Sequence, residues 1–334
     1  MDKENEYVVF FLEKDIHQLR LNHNFKAVIA DFVWYSFREQ IKFPAILYKQ
    51  KLDIVHFPHF NVPILYRGEY VLTIHDLTHL DFKMSRASVH NRLYYEIKHQ
   101  TYKKVFSESL KKSEKIITVS NFVKEQIINR YNIVPAKIAV TYEAVDSIFS
   151  SSVKMEKPII KSPYIFYVGN AHPHKNVEGL IKAFRKLKLE YKNLQLVFSG
   201  KEDFFWERVK KEFSDKDIIY KGFVTDKELR NLYENAKAFV FPSFSEGFGI
   251  PLLEAFALGC PVISSNKTAL PEIGGNAALY FDPYDVNDIA NKILHVLNNV
   301  SLRKSLIEKG KKRIKLFSWK KMAEETLEVY KECA

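Results

Sequence analysis

Short, almost wholly apolar runs recur along this chain, each followed by a turn and a segment of helical periodicity, and that alternation is what most restricts the fold. In the first half Tyr7–Leu12, Ile54–Phe57, Tyr70–Ile74 and Lys115–Val119 read as strands, with a helix over Ser88–Lys112. In the second half Tyr164–Val168, Gln195–Ser199, Ile218–Tyr220, Ala238–Phe241 and Pro261–Ser264 repeat the pattern around helices at Val177–Lys188 and Asp226–Asn235. Strands this apolar must be covered on both faces, which is the condition of a parallel sheet between helices. The pattern occurs twice, and 334 residues suit two such domains at roughly 100–200 residues each. The expected class is therefore α/β, with two Rossmann-like parallel-sheet domains. Ser147–Pro163, with three consecutive serines and two prolines, is the expected linker. The expected domains are 1–157, 158–315, and an amphipathic C-terminal helix within 316–334 that packs on another element. That helix carries Trp319, Met322, Ala323, Leu327 and Tyr330 at helical spacing.

Glycine separates the two halves chemically. Of the 11 glycines only Gly68 precedes residue 168, so a backbone cradle for phosphate belongs to the second half and the first contributes side chains. The net charge of +11 favours anionic partners without naming one. Nucleic acid is not expected among them, because no recognised motif or stacking platform accompanies the charge. Two cysteines make neither a disulfide framework nor a four-cysteine metal site, and a reducing, cytoplasmic setting is expected. No apolar run approaches the ~18 residues of a spanning helix. Between Asp81 and Arg130, however, eleven basic residues face five acidic ones, interleaved with Tyr94, Tyr95, Tyr102 and Phe106. Residues 83–130 are thus a candidate for peripheral contact with anionic membrane at the inner face, or equally the solvated side of a core helix.

The densest constellation is Ser245-Glu246-Gly247-Phe248-Gly249-Ile250-Pro251-Leu252-Leu253-Glu254-Ala255, directly after the strand Ala238–Phe241. Gly247 and Gly249 flank a turn and Pro251 suits the first turn of a helix, whose free amides form an anion site. Glu246 and Glu254 are carboxylates able to accept hydrogen bonds from paired hydroxyls, as a nucleotide sugar offers. No Asp-x-Asp cluster stands near a strand end, so no catalytic metal is expected. Asp76 reads as a helix cap, while His56, His59 and His172 are as readily structural as functional.

Two glutamates eight apart around Gly-Phe-Gly-Ile-Pro resemble the E-x7-E element of retaining glycosyltransferases of family 4, which have the GT-B fold; the resemblance implies two Rossmann-like domains facing across a cleft, with the C-terminal helix packing back on the first. Tyr167-Val168-Gly169-Asn170 with Pro173-His174-Lys175-Asn176 is similar to that family's phosphate loop, and Gly222-Phe223-Val224, Phe241-Pro242-Ser243, Gly259-Cys260-Pro261 and Pro271-Glu272 continue the likeness. Thr73-Ile74-His75-Asp76-Leu77 and Thr118-Val119-Ser120 match more weakly in the first half. The resemblance implies a metal-independent enzyme without a cofactor, moving a hexose (mannose, glucose, N-acetylhexosamine or similar) from a nucleoside diphosphate to a hydroxyl of a glycan or lipid-linked acceptor. Surface polysaccharide or glycolipid synthesis would be its setting. It implies that Glu254 holds the donor ribose, that Glu246 contacts the transferred sugar, and that the amides of Phe248, Gly249 and Ile250 support sugar and diphosphate. Gly247 belongs to the same turn. Lys175 would neutralise the leaving diphosphate, Gly169 and Asn170 would admit it closely, and His75 would face the sugar from the other domain.

Two departures stand out. His174 occupies a position where the family commonly has arginine, so a weaker, pH-dependent cation is expected there. The family's first domain opens with a strand and a glycine-rich loop, whereas this chain starts at what reads as the second strand. Residues 1–53 are therefore expected to form an incomplete edge of the first sheet. On that ground a catalytically inactive GT-B partner subunit stays open as an alternative.

Overall fold

The computed structural model describes residues 2–18, 21–33, 36–82, 92–150 and 157–333. The first domain carries strands β1 (Tyr7–Phe11), β2 (Phe25–Ile29), β3 (Val55–Phe57), β4 (Tyr70–Ile74), β5 (Lys115–Thr118) and β6 (Ile138–Val140). β3-β4-β5-β6 form a parallel sheet in that order. All five residues of β4 are buried, because sheet neighbours and helices cover it on every side. Helix Asn121–Tyr131 begins where Ser120 turns its hydroxyl back on the Val123 amide.

The second domain contributes β7 (Tyr164–Val168), β8 (Gln195–Ser199), β9 (Ile218–Tyr220), β10 (Ala238–Phe241), β11 (Val262–Ser265) and β12 (Ala278–Phe281). They form one parallel sheet in the order β12-β11-β10-β7-β8-β9. The chain runs outward from β7 to β9, then returns to the other flank of β7 with β10, so the order reverses between β7 and β10. Loops leaving the carboxyl ends of strands at such a reversal enclose a crevice, which is where open α/β sheets bind ligands. The loops in question are those after Val168 and after Phe241.

The region 1–53 differs from the expectation. β1 and β2 pair with each other as a separate two-stranded parallel sheet instead of extending the edge of the main one. Phe10 still packs against the first-domain core, so the small sheet is attached through side chains. Helix Phe37–Gln50, capped by Ser36 onto the Glu39 amide, lies between it and β3. In the stretch 83–130, Phe106 and Leu110 lie in the core, which removes Phe106 as a membrane anchor, while Lys103, Lys104, Lys111 and Lys112 are exposed. Residues 83–91 and the side chains of Tyr94, Tyr95 and Tyr102 lie outside what is described. Among the described residues no helix is long and apolar enough to cross a membrane.

The C-terminal helix Trp319–Lys331 belongs in sequence to the second domain yet packs on the first-domain sheet. Val329 joins Val71 and Ile117, with Ile54, Ala139, Tyr330 and Cys333 around them. Lys115 pairs with Glu332 at 2.6 Å. The Tyr330 hydroxyl meets His56 Nδ1 at 2.5 Å, and Thr73 Oγ1 meets His56 Nε2 at 2.7 Å. Burial holds the His56 pKa down at about 4, so a neutral ring is matched at both nitrogens by hydroxyls. Tyr330→Phe orphans one of those nitrogens and is expected to cost about 1–3 kcal/mol of stability, read as a lower urea midpoint with an unchanged slope.

Candidate active site between the two domains

Helix Ile250–Ala257 starts immediately after the turn that follows β10. Gly249 is its N-cap with φ +109°, a left-handed backbone that a side chain would strain, and Pro251 sits in the first turn, where its missing N–H costs nothing. Ahead of it the turn Ser243–Gly249 is locked onto the first domain. Gly247 approaches the His75 carbonyl so closely that an added Cβ would lie 1.8 Å from that oxygen. Ser120 Oγ donates to Gly247 O at 2.6 Å, and Thr78 Oγ1 meets Ser245 Oγ at 3.2 Å.

Lys175 ends a short turn, Pro173–Lys175, in the loop after β7. Its Nζ reaches both oxygens of Glu246, at 2.7 and 2.9 Å, and Ser243 Oγ donates to the same carboxylate at 2.6 Å. The side chains are 17% and 12% exposed, so this is a largely buried ion pair. The Glu246 amide donates to Thr268 Oγ1, which fixes the turn from behind. Glu254 points elsewhere: its Oε2 accepts from Tyr233 at 2.8 Å, and burial raises its pKa. The structure thus gives the two glutamates different neighbours, one a cation and one a buried phenol.

On the opposite wall His75 stands at the carboxyl end of β4. Nδ1 faces Glu143 Oε1 at 3.0 Å and Nε2 faces the Pro58 carbonyl at 3.1 Å. Both partners are acceptors, which favours a ring protonated on both nitrogens. The Glu143 hydrogen bond raises the His75 pKa accordingly. Sequence reasoning missed Glu143 because β6, which delivers it, is only three residues long. Asp76 caps the following turn, its Oδ1 accepting from the Thr78 amide at 2.8 Å, as its sequence position suggests.

Two residues of the β7 loop are held by hydrogen bonds within the second domain. Asn170 Oδ1 accepts from the His172 amide and its carbonyl from the Tyr167 hydroxyl, so it shapes the loop; Gly169 is tied to Ser199 and to Trp206 Nε1. His174 corrects the expectation of a pH-dependent cation. Its ring is 6% exposed, flanked by His172 and by Phe82 of the first domain, and burial lowers its pKa to about 3. Phe248 is likewise a packing residue, buried against Tyr142 and Phe317, so its expected contribution rests on its amide.

A further carboxylate clasps the domains. Glu272 of the second domain accepts from the amides of Asn121 and Phe122 at 2.7 and 2.9 Å, and from Tyr142 at 2.8 Å. It serves as the anionic cap of helix Asn121–Tyr131 from across the cleft. Arg313 Nε holds the Ile273 carbonyl at 2.9 Å and steadies the short helix Leu270–Gly274 that carries it.

With this geometry in view, comparison with known proteins is decisive. The family model "Glycosyltransferase Family 4" matches residues 5–148 and "Glycosyl transferases group 1" matches 152–313. An O-antigen chain mannosyltransferase B of Escherichia coli is 35% identical over 291 residues, covering 83% of this chain and 74% of that protein. The chain belongs to glycosyltransferase family 4. The O-antigen chain mannosyltransferase RfbU of Salmonella typhimurium is 30% identical over 77% of this chain and 68% of its own. Among solved structures, sucrose-phosphate synthase from Thermosynechococcus elongatus superposes with TM-score 0.75 at 18% identity, over 94% of this chain and 84% of that one. WaaG, a glycosyltransferase involved in lipopolysaccharide biosynthesis, gives 0.68 at 13% identity, over 93% and 88%. The fold of this family 4 glycosyltransferase is GT-B, with two parallel-sheet domains meeting across a cleft.

Two outcomes follow for this enzyme. Gly247→Ala is expected to wedge the domains apart at His75 and lower kcat/KM by about 100-fold, the scale of an ångström misplacement, with a larger radius of gyration in small-angle scattering. Glu143→Gln is expected to bring the His75 pKa down towards its ordinary 6.5 in an NMR titration. Because the folded pKa is raised, the His75–Glu143 contribution to stability is complete below about 6.5 and disappears as pH rises through the folded value. The variant is expected to lose that pH dependence.

Proposed function

We propose that this glycosyltransferase moves a hexosyl group, mannosyl being the first to test, from a nucleoside-diphosphate sugar to a hydroxyl of a glycan or lipid-linked acceptor in surface polysaccharide synthesis. The observation that carries this reading is the Lys175–Glu246 pair at the β7/β10 reversal, beside a helix N-terminus and opposite His75. Anionic phosphate is stabilised at a helix N-terminus by free amides and dipole, and Lys175 adds a full charge where the departing diphosphate accumulates its own. Glu246 then faces the transferred sugar. Glu254, with Tyr233 its sole donor among the described residues, is assigned to the ribose hydroxyls. The two curated relatives described above are named as mannosyltransferases, and one structural neighbour, from Anabaena, was solved with UDP and glucose. Residues 1–157 are assigned to the acceptor side and 158–315 to the donor.

The reaction follows the family's retaining, front-face course. The anomeric C–O bond to diphosphate breaks, the acceptor oxygen bonds on the same face, and its proton passes to the departing phosphate oxygen. We assign charge compensation to Lys175 and the amides of Gly249 and Ile250, without a metal. Action at the cytoplasmic side of a membrane is part of the same proposal.

Isothermal calorimetry with GDP-mannose, UDP-glucose and dTDP-glucose tests the donor. Glu254→Ala is expected to weaken the preferred donor by the roughly 1.5–3 kcal/mol of a charged hydrogen bond, about 10- to 150-fold in Kd. Unchanged affinity in a folded variant would overturn the ribose assignment. Donor binding without hydrolysis or transfer would favour an inactive partner subunit.

A further inference from the structure

Helix Phe37–Gln50 turns one side to the first-domain core, burying Pro44 and Leu47, and shows solvent a second apolar stripe. Phe37, Ile41, Ala45 and Tyr48 recur at intervals of four, four and three, which aligns them on one face. Phe37 is 81% exposed, and Ile41 and Tyr48 are about half exposed. The loop Pro63–Gly68 runs alongside: the Ile64 amide donates to Gln40 Oε1 at 2.9 Å and the Arg67 amide to the Tyr48 hydroxyl at 2.7 Å. This places the exposed side chains of Ile64 and Leu65 beside the helical stripe. Five large apolar side chains standing together in water are more than the scattered singles that need no explanation.

The ionic rim names the occupant. Across residues 36–51 and 63–68 the exposed charged side chains are Arg38, Lys42, Lys49, Lys51 and Arg67, all cationic, with the exposed carboxylates Asp53 and Glu69 following just past each segment; Glu39 is buried and accepts from Asn61 Nδ2. An apolar stripe edged by five cations, against two carboxylates at the segment ends, matches an anionic lipid surface, where side chains enter the acyl boundary and the cations meet headgroups. The face also lies next to the cleft. Loop 58–65 joins them, with its Pro58 carbonyl on His75 Nε2 at one end and Asn61 on Glu39 near the first turn of the helix at the other.

We propose that the face formed by Phe37, Ile41, Tyr48, Ile64 and Leu65 docks on an anionic bilayer and so presents a lipid-linked acceptor to the cleft beside His75. This rests on the glycosyltransferase reading for the acceptor and on the surface alone for the membrane. It also moves the membrane contact away from residues 83–130, whose described aromatic, Phe106, is spent in the core.

Flotation of the full chain with phosphatidylcholine vesicles, with and without phosphatidylglycerol, tests the docking. The wild type is expected to float with the anionic vesicles at low salt and to be released by high salt. Phe37→Ser with Ile41→Ser is expected to weaken partition by about tenfold or more, from two lost apolar insertions, at unchanged thermal stability. Arg38→Glu with Lys42→Glu is expected to weaken it by at least about fivefold per cation. Lys103→Glu with Lys104→Glu is expected to leave it intact. Each of the following would overturn the proposal: no flotation at low salt, flotation insensitive to the Phe37/Ile41 change, or loss confined to the Lys103/Lys104 variant. So would a dimer in sedimentation that the Phe37/Ile41 change dissociates, since a second copy would then own the face. Calorimetric donor binding without vesicles separates the two readings: it is expected to be the same in wild type and the Phe37/Ile41 variant. Flotation with no donor binding would remove the acceptor half alone, and donor binding with no flotation the membrane half.

Discussion

The rest of the structure depends on a contact that has no room for a side chain. Gly247 lies against the His75 carbonyl, and its own carbonyl takes the Ser120 hydroxyl. Backbone meets backbone across the cleft, so the turn that carries Glu246 and opens the helix Ile250–Ala257 is referenced to the ends of β4 and β5. Ser120 is used twice, as acceptor from the Val123 amide and as donor to Gly247. Glu272 repeats the device a short distance away on the amides of the same first-domain helix. The N-terminus of helix Asn121–Tyr131 is therefore satisfied from both domains, and separating the domains would expose those donors again. The C-terminal helix adds a third tie on the opposite side of the first-domain sheet, through Tyr330 and Val329.

The sequence disclosed the second domain more fully than the first, for physical reasons. Strands such as Tyr164–Val168 and Gln195–Ser199 are apolar at nearly every position because helices cover both faces, and Asp226–Asn235 announces itself by the Thr225–Glu228 capping box. Gly249 and Pro251 mark their turn through backbone chemistry that no tertiary contact can override. β2, β6 and, in the second domain, β12 passed unnoticed. Phe25–Ile29 contains an exposed lysine, and Ile138–Val140 is too short for periodicity to register. Failing to see β6 meant failing to see Glu143, and with it the hydrogen bond that raises the His75 pKa. The environment of His174 was equally hidden, since the burial that lowers its pKa includes Phe82, which lies nearly a hundred positions away in the chain.

The Lys175–Glu246 pair shows how a site of this kind stands without its substrate. Taking two opposite charges to 17% and 12% exposure costs desolvation that their attraction only roughly offsets, so the pair is a poor device for stability alone. Its value on the proposed reading lies in position. Glu246 keeps Lys175 extended into the crevice, Ser243 fixes the carboxylate's orientation, and Thr268 holds the Glu246 backbone amide. A diphosphate arriving at the helix N-terminus brings an anion that competes for the same ammonium. As Lys175 shifts part of its hydrogen bonding to phosphate, Glu246 is left with oxygens directed at whatever hydroxyls the diphosphate carries with it. On the proposed reading the arrangement couples recognition of the leaving group to recognition of the sugar, and an anion lacking the sugar would strand a largely buried carboxylate that the intact donor satisfies.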